Sequence, residues 1–152
     1  MCVQGQSGYD RLRDYCDTGI NYVTLAFVYE SPENNPSNYP GTNFAGHCWA
    51  GTYSNEDGIG SNLLSECHTI KEDVGYCQEK GVKILLSIGG DPVGKKYEVT
   101  TEENGKYFAE FLYGAFGPYD EEWNGPRPFD ASETEHTAVD GFDFDIEWYF
   151  GE

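Results

Sequence analysis

A chain of 152 residues, 38% of them hydrophobic, can bury one ordinary core, which excludes a disordered polymer and makes a single domain the default. Its 27 Asp and Glu outnumber its 9 Lys and Arg, and the net charge of −18 repels phosphate backbones and anionic lipid. Neither nucleic acid nor a membrane surface is therefore an expected partner, whereas 12 Tyr, 9 Phe and 3 Trp in an acidic background suit a neutral ligand with apolar faces, such as carbohydrate.

In chain order, residues 9–18 read as a short helix stopped by Gly19, with Leu12, Tyr15 and Cys16 on one side. The run Tyr22-Val23-Thr24-Leu25-Ala26-Phe27-Val28-Tyr29 is β-prone and almost continuously apolar, the mark of a strand covered on both faces. Residues 31–41 are rich in Pro, Asn and Ser and form a loop. A helix is expected over about 62–80, with Ile70, Val74 and Cys77 at helical spacing and Gly81 as its stop. A second buried strand, 82–88, ends in Gly89-Gly90-Asp91-Pro92. A third helix over about 102–116 opens on a capping box, Thr100 with Glu103, and presents Phe108, Phe111, Leu112 and Phe116. A long polar loop over 117–139 follows.

The last stretch, Asp140-Gly141-Phe142-Asp143-Phe144-Asp145-Ile146-Glu147, alternates acidic and apolar residues with the period of a strand. Asp143, Asp145 and Glu147 share one face, with roughly 6.6–7 Å between successive members. In isolation this is equally an amphipathic strand with a wet acidic face or a ladder of catalytic carboxylates, which would titrate as a coupled set. The surrounding elements favour the ladder. Buried strands alternating with helices imply a parallel sheet, whose chemistry gathers at the carboxyl ends of the strands. An open doubly wound sheet would bury three carboxylates under helices, whereas a closed barrel turns one strand face toward a polar axis. The expected fold is thus α/β, a partial (β/α)8 TIM barrel comprising roughly strands 2 to 4 with their helices. A full barrel needs about 250 residues, so 1–152 is expected to be one incomplete catalytic domain.

Five cysteines, Cys2, Cys16, Cys48, Cys67 and Cys77, lack the paired spacing of a zinc ribbon or a redox Cys-x-x-Cys motif. They point to disulfides in an oxidising compartment with one thiol left over. The opening Met1-Cys2-Val3-Gln4-Gly5-Gln6 has neither the basic nor the apolar part of a secretion signal, so further chain is expected upstream. No run is long and apolar enough to span a membrane.

Asp140 to Glu147 resembles the D-G-x-D-x-D-x-E signature of family-18 glycoside hydrolases, the chitinases, and Ser87-Ile88-Gly89-Gly90 resembles their S-x-G-G motif on the preceding barrel strand. Asn43-Phe44-Ala45-Gly46-His47-Cys48 and Gly5-Gln6 are similar to the plant and fungal class III (hevamine-like) group. Gln4 departs from the aromatic residue usual there, and Asp91 from the glycine of some relatives. The likeness covers nearly the whole chain but about half of the family's catalytic domain.

The resemblance implies a retaining, substrate-assisted hydrolysis of β-1,4-N-acetylglucosamine linkages, in which the substrate's own acetamido oxygen attacks the anomeric carbon. Glu147 matches the general acid, Asp145 the residue that orients the acetamido group, and Asp143 the partner that shares a proton with Asp145. Gly89, Gly90 and Asn43 match substrate-binding positions, although tight packing accounts equally well for the glycines and a turn for Asn43. His47 is expected to anchor a loop. The disulfides implied are Cys16–Cys77 and Cys48–Cys67, with Cys2 unpaired. No cofactor and no metal are implied; the partners are chitin or N-acetylglucosamine oligosaccharides, and the complete protein is an extracellular monomer. Residues that the family supplies from later strands lie outside this stretch, so the 152 residues alone are expected to be inactive. Two other readings remain open: an endo-β-N-acetylglucosaminidase with the same motif, and a non-catalytic chitin-binding lectin or inhibitor on the same barrel. An Asp-x-Asp metal site is disfavoured, since it leaves Glu147 and the Gly-Gly strand end unexplained.

Overall fold

The computed structural model describes residues 11–91 and 96–147, so Cys2, Gln4, Gly5, Gln6 and the first two residues of the helix expected over 9–18 lie outside the described residues. In chain order the elements are α1 (Leu12–Cys16), β1 (Tyr22–Glu30), β2 (Gly41–Thr42), β3 (Trp49–Ser54), β4 (Gly60–Glu66), α2 (His68–Glu79), β5 (Lys83–Gly90), α3 (Glu102–Phe116) and β6 (Gly141–Ile146). Strands β1, β5 and β6 lie side by side and parallel, and β2 adds antiparallel to the outer edge of β1. Strands β3 and β4 form a separate antiparallel hairpin. The architecture is therefore mixed α/β, with α2 on the connection into β5 and α3 on the connection into β6.

The continuous apolar runs behave as parallel-sheet strands do. Val23, Leu25 and Val28 of β1 and Ile84, Leu86 and Ile88 of β5 are all buried. Against them pack Ile70, Val74 and Cys77 of α2 and Phe108, Phe111, Leu112 and Phe116 of α3, spaced at one face of each helix. Helix α2 ends in a Schellman arrangement: Gly81 adopts φ +81°, its N–H donates to the Gln78 carbonyl (2.9 Å), and Val82 N–H donates to the Cys77 carbonyl (3.0 Å).

Two expectations are corrected. The helix expected from about residue 62 begins at His68, because residues 60–66 are β4; Leu63 and Leu64 fit a helical stripe with Ile70 but belong to the hairpin. The cap of α3 is Thr101 rather than Thr100, its hydroxyl accepting from Asn104 N–H at 3.1 Å.

Helices α1 and α2 are joined twice, by the Cys16–Cys77 disulfide and by Asp73, whose fully buried carboxylate accepts from Arg11 and Arg13 at 2.6 Å each. These contacts hold the Arg11 guanidinium pKa above its ordinary value, the bond to Asp73 first and that to Glu72 second. A second disulfide, Cys48–Cys67, ties the start of the hairpin to the start of α2.

The long loop that delivers β6 is ordered around one residue. Arg127 donates to the carbonyls of Gly114 (2.7 Å) and Gly117 (2.9 Å) at the end of α3, to that of Thr137 (2.8 Å), and to Asp130 (3.0 Å). Burial pushes the Asp130 carboxyl upward, but the bonds from Arg127, the Thr137 N–H and His136 outweigh it and leave the pKa lowered.

Candidate active site

Strands β5 and β6 pair in register from Leu85↔Gly141 to Gly90↔Ile146, which sets Ser87 opposite Asp143 and Gly89 opposite Asp145. The acidic stretch is a strand over Gly141–Ile146, as its period predicts, with Asp143 and Asp145 on one side and Glu147 one residue past its end. Asp143 and Asp145 are half-buried and Glu147 is exposed. The Ser87 hydroxyl donates to Asp143 Oδ2 at 2.7 Å, which turns the serine of the S-x-G-G motif into the anchor of the first acid of the ladder.

Asp140, the first acid of the motif, has a different environment. Its carboxylate accepts from Ile84 N–H (3.0 Å), Lys83 Nζ (2.8 Å) and Gln78 Nε2 (2.9 Å). Desolvation raises its pKa, yet these three bonds prevail and hold the carboxyl below the ordinary range. Asp140 thus pins the entry of β6 to β5 and α2.

Both glycines at the end of β5 have positive φ, +124° at Gly89 and +90° at Gly90. A Cβ on Gly89 would lie 2.0 Å from the Asp145 carbonyl oxygen, and one on Gly90 would lie 3.0 Å from the Phe27 ring. Close packing accounts for both glycines without a ligand. Phe27 in turn exchanges two main-chain hydrogen bonds with Asn43, at 2.7 and 2.9 Å. Asn43 is exposed, and its Oδ1 accepts from Ala45 N–H at 2.9 Å, so the acceptor half of the amide closes a turn. Beside it lies a cleft of about 370 Å³ lined by Tyr29, Asn43, Trp49, Thr52 and Asn62, with Trp49 69% exposed at its edge. His47 caps no catalytic group; its carbonyl accepts from Thr69 Oγ1, and its Nε2 is buried without a hydrogen-bond partner among the described residues.

Two features at this end of the sheet escaped the sequence reading. Glu30, at the carboxyl end of β1, is 3% exposed and accepts from Asn35 (2.9 Å) and Asn62 (2.6 Å), with Lys96 Nζ at 3.7 Å. Tyr97 brings its hydroxyl onto the main chain of Glu147. Neither leaves a local pattern, because Glu30–Asn62 and Tyr97–Glu147 join residues 32 and 50 positions apart and Glu30–Asn35 joins side chains of ordinary loop type. Among the described residues, no group of three or more His, Cys, Asp or Glu side chains is placed to hold a metal ion, and no helix is long and apolar enough to cross a membrane.

Parallel strands that carry an acidic stretch beside a Gly-Gly strand end are the arrangement the motifs suggested. The chain is similar to fungal endochitinases: it is 42% identical over 142 residues to Endochitinase 2 of Coccidioides posadasii (strain C735), a match covering 93% of this chain and 16% of that protein. Among solved structures it is similar to the ICChI chitinase of Ipomoea carnea (TM-score 0.66, 28% identity, 95% of this chain and 44% of that one). It is also similar to the xylanase and α-amylase inhibitor XAIP-II of Scadoxus multiflorus (TM-score 0.63, 27% identity, 97% of this chain and 45% of that one). No family model matches the chain. The chain thus spans less than half of these solved structures and a smaller share of the curated relative.

Proposed function

We propose that residues 1–152 are the acid-bearing part of a glycoside hydrolase catalytic domain that cleaves β-1,4-N-acetylglucosamine linkages in chitin. The observation that carries this reading is the position of Asp143 and Asp145 on the strand beside Gly89 and Gly90, with Glu147 one residue past its end, at the carboxyl ends of β5 and β6. In this reading β1, β5 and β6 are strands 2 to 4 of a (β/α)8 barrel whose remaining strands lie elsewhere in a longer protein. The two disulfides fit an extracellular setting.

The chemistry follows from exposure and hydrogen bonding. Glu147 lies beyond the last ladder pair and is exposed, so its carboxyl can reach a glycosidic oxygen and protonate it. Asp145, one step back, would hold the acetamido group so that its oxygen attacks the anomeric carbon with retention, and would stabilise the positive charge that develops there. Asp143, fixed by Ser87, would back Asp145 and share a proton with it. Gly89, Gly90 and Asn43 would border the bound sugar.

The test is Glu147→Gln in the protein that contains this chain, assayed on chitin oligosaccharides. Turnover should fall about 10²–10⁴-fold while oligosaccharide binding persists. Normal turnover would refute the assignment of the acid. The similarity to an inhibitor protein supports a competing reading, a non-catalytic carbohydrate binder, in which the native protein binds oligosaccharides and never cleaves them. The intact ladder favours the enzyme. The 152-residue polypeptide on its own is expected to release no chitobiose, since it spans only 44% of the similar chitinase; measurable release would overturn that expectation.

A further inference from the structure

We propose that Tyr97 is a positioning residue that sets the reach of Glu147. The inference rests on the reading of Glu147 as the general acid. Ladder pairing between β5 and β6 stops at Gly90↔Ile146, so Glu147 is the first residue whose main chain the sheet does not fix. Tyr97, 8% exposed, takes over at that point. Its hydroxyl donates to the Glu147 carbonyl at 2.9 Å and accepts from the Glu147 N–H at 3.3 Å, closing both main-chain groups of one residue with one atom.

The tyrosine is itself held from both sides. Ser31 N–H donates to the Lys96 carbonyl (2.7 Å), and Ser31 Oγ donates to the Glu98 carbonyl (2.7 Å). Asn34 Nδ2 donates to both carbonyls, at 2.9 and 3.0 Å. Lys96 also approaches the buried Glu30 carboxylate at 3.7 Å. A continuous hydrogen-bonded path therefore runs from the carboxyl end of β1, through the residues around Tyr97, to the main chain of Glu147. A buried tyrosine hydroxyl finds some partner in any fold. What singles out this one is that it grips the residue carrying the proposed proton donor, where misplacement by about 1 Å can cost on the order of 10²-fold in rate.

The experiment compares Tyr97→Phe, Glu147→Gln and the double variant in the protein that contains this chain. Tyr97→Phe should lower kcat about 10–100-fold with KM within about twofold of native. It should cause no further loss in the Glu147→Gln background, since there is then no acid left to aim. In the same variant the Glu147 amide should exchange with solvent at least about tenfold faster, a readout independent of turnover. Unchanged kcat, a rise in KM alone, an additive loss in the double variant, or unchanged amide exchange would each overturn the proposal. If Glu147→Gln keeps full turnover while the amide exchange responds, the functional reading fails and the contact stands. Should Tyr97→Phe not fold, Ser31→Ala loosens the same bracket and should lower kcat severalfold; native kcat there overturns it.

Discussion

Gly89→Ala offers the sharpest test of how β6 is seated. The backbone at Gly89 has φ +124°, a region that costs a residue with a Cβ roughly 1–3 kcal/mol. The added carbon would also sit 2.0 Å from the Asp145 carbonyl oxygen, a main-chain atom that cannot rotate away. Relieving that clash moves β6 outward, a shift of the kind that costs about 1–3 kcal/mol more. A combined loss of about 4 kcal/mol corresponds to a fall in Tm on the order of 8–16 °C in a cooperative unit of about 150–250 residues. Gly90→Ala is the control. Its φ of +90° carries similar strain, but the nearest neighbour is the Phe27 ring at 3.0 Å, a side chain that can yield by a few tenths of an ångström. Its loss should be about half as large. Thermal unfolding of both variants against the native protein decides the matter. A Gly89→Ala Tm within about 3 °C of native, or a larger loss at Gly90, would refute the seating inferred from the strand register.

Three further outcomes are expected. Ser87→Ala removes the hydrogen bond to the Asp143 carboxyl and should destabilise by about 0.5–1.5 kcal/mol in a denaturant titration. At Asp73, removing the partners should hurt more than removing the acid. Arg11 and Arg13 are each 35% exposed and can hydrate once Asp73→Asn is made, whereas the Arg11→Ala/Arg13→Ala double variant strands a carboxylate with 0% exposure, at a cost of about 3–5 kcal/mol in unfolding free energy. Asp140 and Asp130 have folded pKa values below those of the unfolded chain. Their stabilisation is therefore complete above the unfolded value and is lost as pH falls below about 4, and Asp140→Asn should flatten that acid limb of a Tm–pH profile.

The sheet was legible because 22–29 and 82–88 are short, almost continuous β-prone apolar runs, and they form the largely buried strands β1 and β5. The hairpin was not, since β3 and β4 lie mostly at the surface and lend little to the core. Their turn did carry a signal in Asn55-Glu56-Asp57-Gly58, where Asn55 Oδ1 accepts from Asp57 and Ile59 N–H and Gly58 adopts φ +77°. The start of α2 lacked one, as its cap residue is Cys67, with no side-chain bond to the helix. At the site, the period of two exposed Asp143, Asp145 and Glu147 directly. The roles of Ser87, Asp140 and Tyr97 depend on hydrogen bonds across 50 or more positions, which no local pattern encodes.

Those long-range bonds explain how an acidic strand with little core of its own holds its place. Of the apolar residues of β6, Phe142 packs against the core, but Phe144 is 71% exposed and Ile146 45%. Among the described residues, burial alone therefore does not fix the strand. Instead it is clamped at its entry by Asp140 on Ile84, Lys83 and Gln78, in its middle by Ser87 on Asp143, and at its exit by Tyr97 on Glu147. The ladder to β5 supplies direction, and the three polar clamps supply position. Such an arrangement leaves Glu147 exposed, as its proposed role as an acid requires. It also predicts that loosening the exit clamp at Tyr97 lowers rate before it lowers stability.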